Sequence, residues 1–229
     1  MSEFTEITSE LIPLLDHGYV KYIEHWGSDE RIIEAARMST DKGFQDWDKD
    51  AKLLAYLYRN KHLTPFEQCG MTVEVQAPIF VFREWHRHRT QSYNELSARY
   101  TELPNLFYIP SSDRIKKQST TNKQGSGEPL SAWTTDYCRD VIKKAYLDSR
   151  EAYEVLLANG VAREVARLVI PVAQYSRMRA SANLRNWLQF LELRLPENAQ
   201  WEIRQYAEAV GSLIKTHFGR TYGLFAEGK

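Results

Sequence analysis

One stretch constrains this chain more than any other: Arg83 to Tyr100, REWHRHRTQSYNELSARY, set directly behind the apolar run Ala77 to Phe82, APIFVF. The apolar run has to be buried, so the polar cluster is anchored to core. The cluster holds four arginines, two histidines, two glutamates and no lysine. Its large apolar residues are few: Trp85, Tyr93, Leu96 and Tyr100. A helix that only packed would show a wider apolar stripe. A solvated face would use lysine as freely as arginine. Fork-shaped donors mixed with acceptors and hydroxyls suit instead a polar ligand with phosphate and ring edges.

Other chemistries fail on spacing or charge. His86 and His88 have no third ligand at metal spacing and sit among arginines, so no metal site is expected. No G-x-G-x-x-G follows a strand and no phosphate-binding P-loop occurs. Ser97 lacks the partners of a hydrolase triad. The cysteines, Cys69 and Cys138, form no C-x-x-C motif; Cys69 has no adjacent basic residue to make a thiolate, and Cys138, beside Tyr137 on the long helix, reads as core. Thirty acidic and thirty basic residues cancel. That balance argues against a nucleic-acid module, which wants a basic domain. No basic and apolar leader opens the sequence and no apolar run reaches about 20 residues. A cytoplasmic protein without a membrane span is the expectation.

Along the chain, Tyr19 to Trp26 alternates as a strand. Ser28 or Asp29 is placed to cap a helix through Met38, and a second helix is expected from about Asp48 to Asn60. In His62-Leu63-Thr64-Pro65-Phe66-Glu67, Thr64 is expected as a helix cap with Pro65 at the first helical position. Met71 to Val75 reads as a strand, and Pro78 opens the helix expected to deliver the arginines. Phe107 to Pro110 suggests a short strand. The segment from about 111 to 130 reads as a mobile polar loop inside one domain. A long helix follows from about Ser131 to Asn159, stopped by Gly160, its apolar face serving core or a subunit contact. Gln174 to Asn183 alternates with neither side strongly apolar, which predicts a strand facing a ligand or another subunit. Asn183 to Arg194 and Ala199 to Phe218 read as helices, the last closed by Gly219.

Arg87-His88-Arg89, seven residues and then Ser97 resembles the RHR-x7-S signature of flavin-dependent thymidylate synthases, and RHRTQSYNELSARY extends the match. The H-x-T-P-x-E piece at His62, VAREVARLVIP at Val161 to Pro171, and the N-x-R and F-x-x-L-R pieces of Asn183 to Arg194 spread the resemblance over most of the chain. The resemblance implies a 1–229 α+β domain, with a mixed or antiparallel sheet flanked by long helices. It implies a homo-oligomer, a tetramer, with sites at subunit interfaces. It implies reductive methylation of deoxyuridine monophosphate (dUMP) to dTMP. Methylenetetrahydrofolate gives the carbon, NADPH reduces FAD, and no cysteine nucleophile takes part.

Carried over residue by residue, Thr64, Arg87, His88, Arg89, Glu95, Asn183, Arg185 and Gln189 would hold FAD. Glu84, Arg87, Glu95, Ser97, Ala98, Arg99, Arg167 and Arg194 would line the nucleotide, with Arg194 as the catalytic group at the uracil edge. Three positions depart from the family pattern: Glu84 stands where Gln is frequent, Ala98 where Gly is, Gln189 where Asn is. A flavoprotein of different chemistry is the alternative from the same residues.

Overall fold

The computed structural model describes residues 11–228. It is a single α+β domain built on a five-stranded sheet. The strands are β1 (Leu11–Leu14), β2 (Gly18–Trp26), β3 (Gly70–Pro78), β4 (Ser92–Glu95) and β7 (Tyr175–Asn183), in the order β1-β2-β3-β7-β4. Every pairing is antiparallel, which decides between the mixed and antiparallel sheets expected from the sequence. The two-stranded sheet is β5 (Lys116–Gln118) with β6 (Ser126–Pro129).

Register explains the core. Val20 sits opposite Val75, Tyr22 opposite Val73, Val73 opposite Ala180 and Val75 opposite Met178, all buried on one face. The other face pairs Lys21 with Glu74, Glu74 with Arg179, and Thr72 with Ser181. Period-two alternation thus gives the sheet one apolar and one polar side. The strand from Tyr175 to Asn183 is therefore not indifferent: Met178, Ala180 and Ala182 are buried. The sequence pattern hid this because two of those three residues are alanine, apolar but small.

Helices flank the sheet, most of them on its apolar face. They are α1 (Asp29–Arg37), α2 (Trp47–Arg59), α3 (Ile79–Trp85), α4 (Ala132–Ala158), α5 (Arg163–Ala166), α6 (Leu184–Arg194), α7 (Trp201–His217) and α8 (Gly219–Glu227). Ser28 caps α1, accepting from Arg31 N at 3.4 Å, and Asn183 caps α6, accepting from Asn186 N at 3.0 Å. Trp85, Trp187, Phe190 and Tyr206 meet over the sheet with ring centroids 4.6–6.3 Å apart. Edge-on and tilted contacts of this kind suit the aromatic quadrupole. The Trp187 indole donates to the Met71 carbonyl at 2.8 Å and the Tyr206 hydroxyl to that of Gln76 at 2.8 Å, so both aromatics keep their polar atoms satisfied.

Several expectations are corrected. Thr64 is not a cap. Leu63 already has helical angles (φ −90°, ψ −11°), and a cap needs extended backbone, so Thr64 is the first residue of a short 3-10 helix, Thr64–Gln68. The helix opened by Pro78 ends at Trp85, before the arginines. The chain then turns, because the Tyr93 hydroxyl donates to the His88 carbonyl at 2.7 Å and the Trp85 indole to Gln91 Oε1 at 3.0 Å, holding β4 back against the turn. Phe107 to Pro110 makes only a single bridge, Phe107 with Gln174. Within 111–130, the sequence forms the β5–β6 hairpin. Arg114 ties its base to α7, reaching Glu202 at 3.1 Å and lying over the Trp201 ring at 4.8 Å. Gly219 does not end the helical run; it begins α8. Among the described residues no helix is long and apolar enough to cross a membrane.

Candidate active site

The residues singled out above gather in three places. The first is the junction of α3, its following turn and the end of α6. Arg194, on the last turn of α6, is gripped from three sides: Nη1 donates to Glu84 Oε2 at 2.7 Å, Nη2 to the Glu84 carbonyl at 3.0 Å, and Nε to His88 Nε2 at 2.9 Å. Its side chain is only 15% exposed. A guanidinium has five N–H donors, so two remain for a ligand. Burial, followed by the Arg194 charge, pushes the His88 pKa down to about 4. At neutral pH the ring is therefore uncharged and free to accept from Arg194. In the tripeptide itself the side chains diverge: His88 is buried against Phe190, with centroids 5.0 Å apart, while Arg87 and Arg89 are exposed.

The second place is a cleft of about 330 Å³ where β4 runs into the following loop. Glu95, Ser97, Ala98 and Arg167 line it together with Ile79 and Ser176. The Ser176 hydroxyl donates to Glu95 Oε1 at 2.7 Å, and the Ser97 hydroxyl accepts from Arg99 N at 3.3 Å, fixing the loop that carries it. Arg99 lies 3.5 Å from Glu164, both exposed. An exposed pair of this kind contributes about 0–1 kcal/mol, so Arg99 is easily recruited by a stronger anion.

The third place lies at the other end of β7. Arg185 pairs with Glu67, joining α6 to the His62–Glu67 segment. Arg185 and Gln189 line a cleft of about 300 Å³ with Tyr58, Lys61 and Leu63. A larger cleft next to it, about 750 Å³, is lined by Met38, Lys61, His62, Leu63, Thr64 and Pro65. Asn186 Nδ2 donates to the Thr90 carbonyl at 3.2 Å, so the turn bearing Arg87 and Arg89 also docks on the start of α6.

Sequence reasoning missed Glu67, Ser176 and Lys61 as members of these clusters. Glu67 was legible in principle, since it closes the H-x-T-P-x-E spacing. Ser176 and Lys61 carry no local signal; only the fold brings them in. What one chain does not bring together is the second place and the third. Glu95 lies opposite Met178 and Asn183 ends the strand. The five intervening steps, at about 3.3 Å each, separate them by about 17 Å.

The charges decide what such clefts take. Arg87, Arg89 and Arg167 are exposed and have no carboxylate partner among the described residues, in contrast with Arg99, Arg185 and Arg194. Unpaired arginines beside a cleft are sites for phosphate or carboxylate. No group of three metal-ligating side chains occurs among the described residues.

Comparison with known proteins agrees with this geometry. A family model described as thymidylate synthase complementing protein matches residues 21–218. A flavin-dependent thymidylate synthase from Wolbachia pipientis wMel is 41% identical over 230 residues, spanning 99% of this chain and 80% of that protein. One from Thermus thermophilus is 43% identical over 217 residues, 94% of this chain and 78% of that one. Among solved structures, a UMP/dUMP methylase, PolB from Streptomyces cacaoi, bound with 5-Br dUMP, superposes with a TM-score of 0.84. It is 34% identical and covers 94% of this chain and 97% of that chain. The family model over residues 21–218 and relatives 41% and 43% identical over nearly the full length place this chain in the family of flavin-dependent thymidylate synthases.

Proposed function

We propose that this chain methylates dUMP to dTMP, taking the carbon from methylenetetrahydrofolate and the reducing equivalents from NADPH through FAD, as a homotetramer and without a cysteine nucleophile. The observation that carries the reading is the arginine pattern: Arg167 unpaired on the wall of the 330 Å³ cleft, Arg87 and Arg89 unpaired on the exposed RHR turn, and Arg194 largely buried and held by three acceptors with two donors to spare.

The residues fit a flavin dinucleotide. Arg87 and Arg89 offer unpaired guanidinium groups for its pyrophosphate. Arg185, Gln189 and Thr64 line adjoining clefts of the size a flat ring system needs, and Asn183 stands at the head of the same helix. When bound there, the flavin supplies hydride chemistry that no side chain of this protein can. The protein's own work is to bind and orient. Arg99 and Arg167, with Ser97 and Ala98, hold the nucleotide, its phosphate drawing Arg99 away from Glu164. Glu95, fixed by Ser176, orients the sugar or ring. Arg194 places its spare donors at the uracil edge and stabilises negative charge as it develops there.

The thiols support the same division of work. Cys69 is buried, with its Sγ 3.4 Å from the Ser28 carbonyl, and burial pushes its pKa up to about 11. It stays a thiol at neutral pH, and a thiol is a poor nucleophile. Cys138 lies half-buried on α4. Replacing Cys69 and Cys138 together by Ser is expected to retain dUMP turnover within a few fold, apart from packing loss at Cys69. Abolished turnover in a folded double variant would establish a cysteine mechanism.

The direct test is spectroscopic and then chemical. Protein reconstituted with FAD is expected to show bound-flavin absorption and to form dTMP from dUMP, methylenetetrahydrofolate and NADPH. UMP is assayed beside dUMP. A colourless protein with no FAD affinity overturns the proposal.

A further inference from the structure

The geometry points to Glu84 as the positioning residue of Arg194 and as a counter-charge that the guanidinium divides between itself and the bound nucleotide ring; the inference rests on the nucleotide reading above. Glu84 reaches Arg194 twice, through Oε2 at 2.7 Å and through its own carbonyl at 3.0 Å. The remaining acceptor, His88 Nε2 at 2.9 Å, is an uncharged imidazole. Of the three acceptors on Arg194, Glu84 Oε2 is thus the only one that carries charge.

The second carboxylate oxygen, Oε1, has no partner among the described residues, and the Glu84 side chain is 42% exposed. The carboxylate therefore keeps one oxygen open to solvent beside Arg194. Two consequences follow from charge alone. A guanidinium tied to an anion cannot rotate away, so its spare donors keep one direction. An anion beside it opposes a second anion at the same place, so a uracil ring bound there ionises less readily than beside a bare arginine. A glutamine at this position keeps an acceptor oxygen and the shape but removes the charge.

The test compares the flavin-loaded wild type with Glu84→Gln and Glu84→Ala, using 5-fluoro-dUMP as the probe. Ionisation of its bound ring is followed by ultraviolet difference absorbance against pH. Turnover of dUMP is measured in parallel. In Glu84→Gln the bound ring is expected to lose its proton about one pH unit lower than in wild type. In Glu84→Ala the guanidinium loses its one charged acceptor, keeping only the residue-84 carbonyl and His88, and kcat is expected to fall about tenfold or more while KM changes less; Gln in place of Ala restores it. Two results overturn the inference: ring ionisation at the same pH in wild type and Glu84→Gln, or wild-type kcat in Glu84→Ala. A wild type that binds no 5-fluoro-dUMP overturns the nucleotide reading and this inference with it. Binding without any dependence on Glu84 overturns this inference alone.

Discussion

Arg194→Ala is expected to fold, to bind FAD and to lose dUMP methylation by about 100–1,000-fold. That is the usual cost of removing one preorganised donor aimed at developing charge. The competing account of Arg194 is structural. It ends α6, and a cation there complements the helix dipole for roughly 0.3–1 kcal/mol. The geometry separates the two. A dipole partner is solvated and interchangeable with lysine, whereas Arg194 is 15% exposed and divides three donors among Glu84 Oε2, the Glu84 carbonyl and His88 Nε2. Lysine has one nitrogen on a flexible stem and cannot meet three acceptors spread around the rim of a planar fork. Arg194→Lys is therefore expected to leave most of the lost turnover unrecovered. Turnover and thermal midpoint are measured side by side. Near-normal turnover with a slightly lowered midpoint would reduce Arg194 to a helix end.

Where the sequence was legible, the signals were local. Ser28 and Asn183 cap the helices they precede because the cap motif spans only a few residues. Gly160 follows the long helix with φ +77°, a backbone state glycine adopts without strain. Alternation in Met71 to Val75 reports the core face directly. Where it was not legible, the deciding contact comes from far along the chain. Gly219 reads as a stop, yet α8 starts there because Asp29 accepts from Arg220 N at 2.9 Å and Thr221 N at 3.2 Å, a cap supplied from 191 and 192 residues away. The arginine stretch reads as a helix until Tyr93 reaches back to His88. The hairpin at 116–129 reads as a loop because its composition is that of turns. Inside it, Gln118 bonds the carbonyls of Lys123 and Gly125, each at 3.1 Å, which no periodicity reveals.

The site shows the same division. The signature spacing singled out candidate residues, but not which of them lie together. Glu84, His88 and Arg194 touch in space, although Arg194 lies 110 and 106 residues along the chain from the other two. Arg185 finds Glu67 across 118 residues.

Two inactive variants are expected to make an active enzyme when mixed, and the layout of the single chain is the reason. The nucleotide group, Ser97 to Arg99 with Arg167, and the flavin group, Asn183 to Gln189, lie at opposite ends of β7. Glu95 and Asn183 are about 17 Å apart along it. Side chains that far apart on one chain are expected to serve different sites, each completed by a neighbouring chain. A surface for such assembly is present. Trp133 and Tyr137 stack on the outside of α4, 76% and 58% exposed, with Val141 following at 51% and Leu168 nearby in sequence to α5 at 78%. Exposed apolar surface of that extent is expected to be covered by another chain. Arg99→Ala and Arg185→Ala suit the test, since each removes only an exposed ion pair, to Glu164 or to Glu67. Asn183→Ala would also remove the cap of α6 and cost about 1 kcal/mol of stability. Each variant alone is expected to be nearly inactive. Unfolded together and refolded at equal amounts, they should recover about a quarter of the wild-type sites, those taking intact Arg99 from one chain and intact Arg185 from its neighbour. A fully active monomer by sedimentation, or hybrids no more active than the separate variants, would mean that each chain builds its site alone.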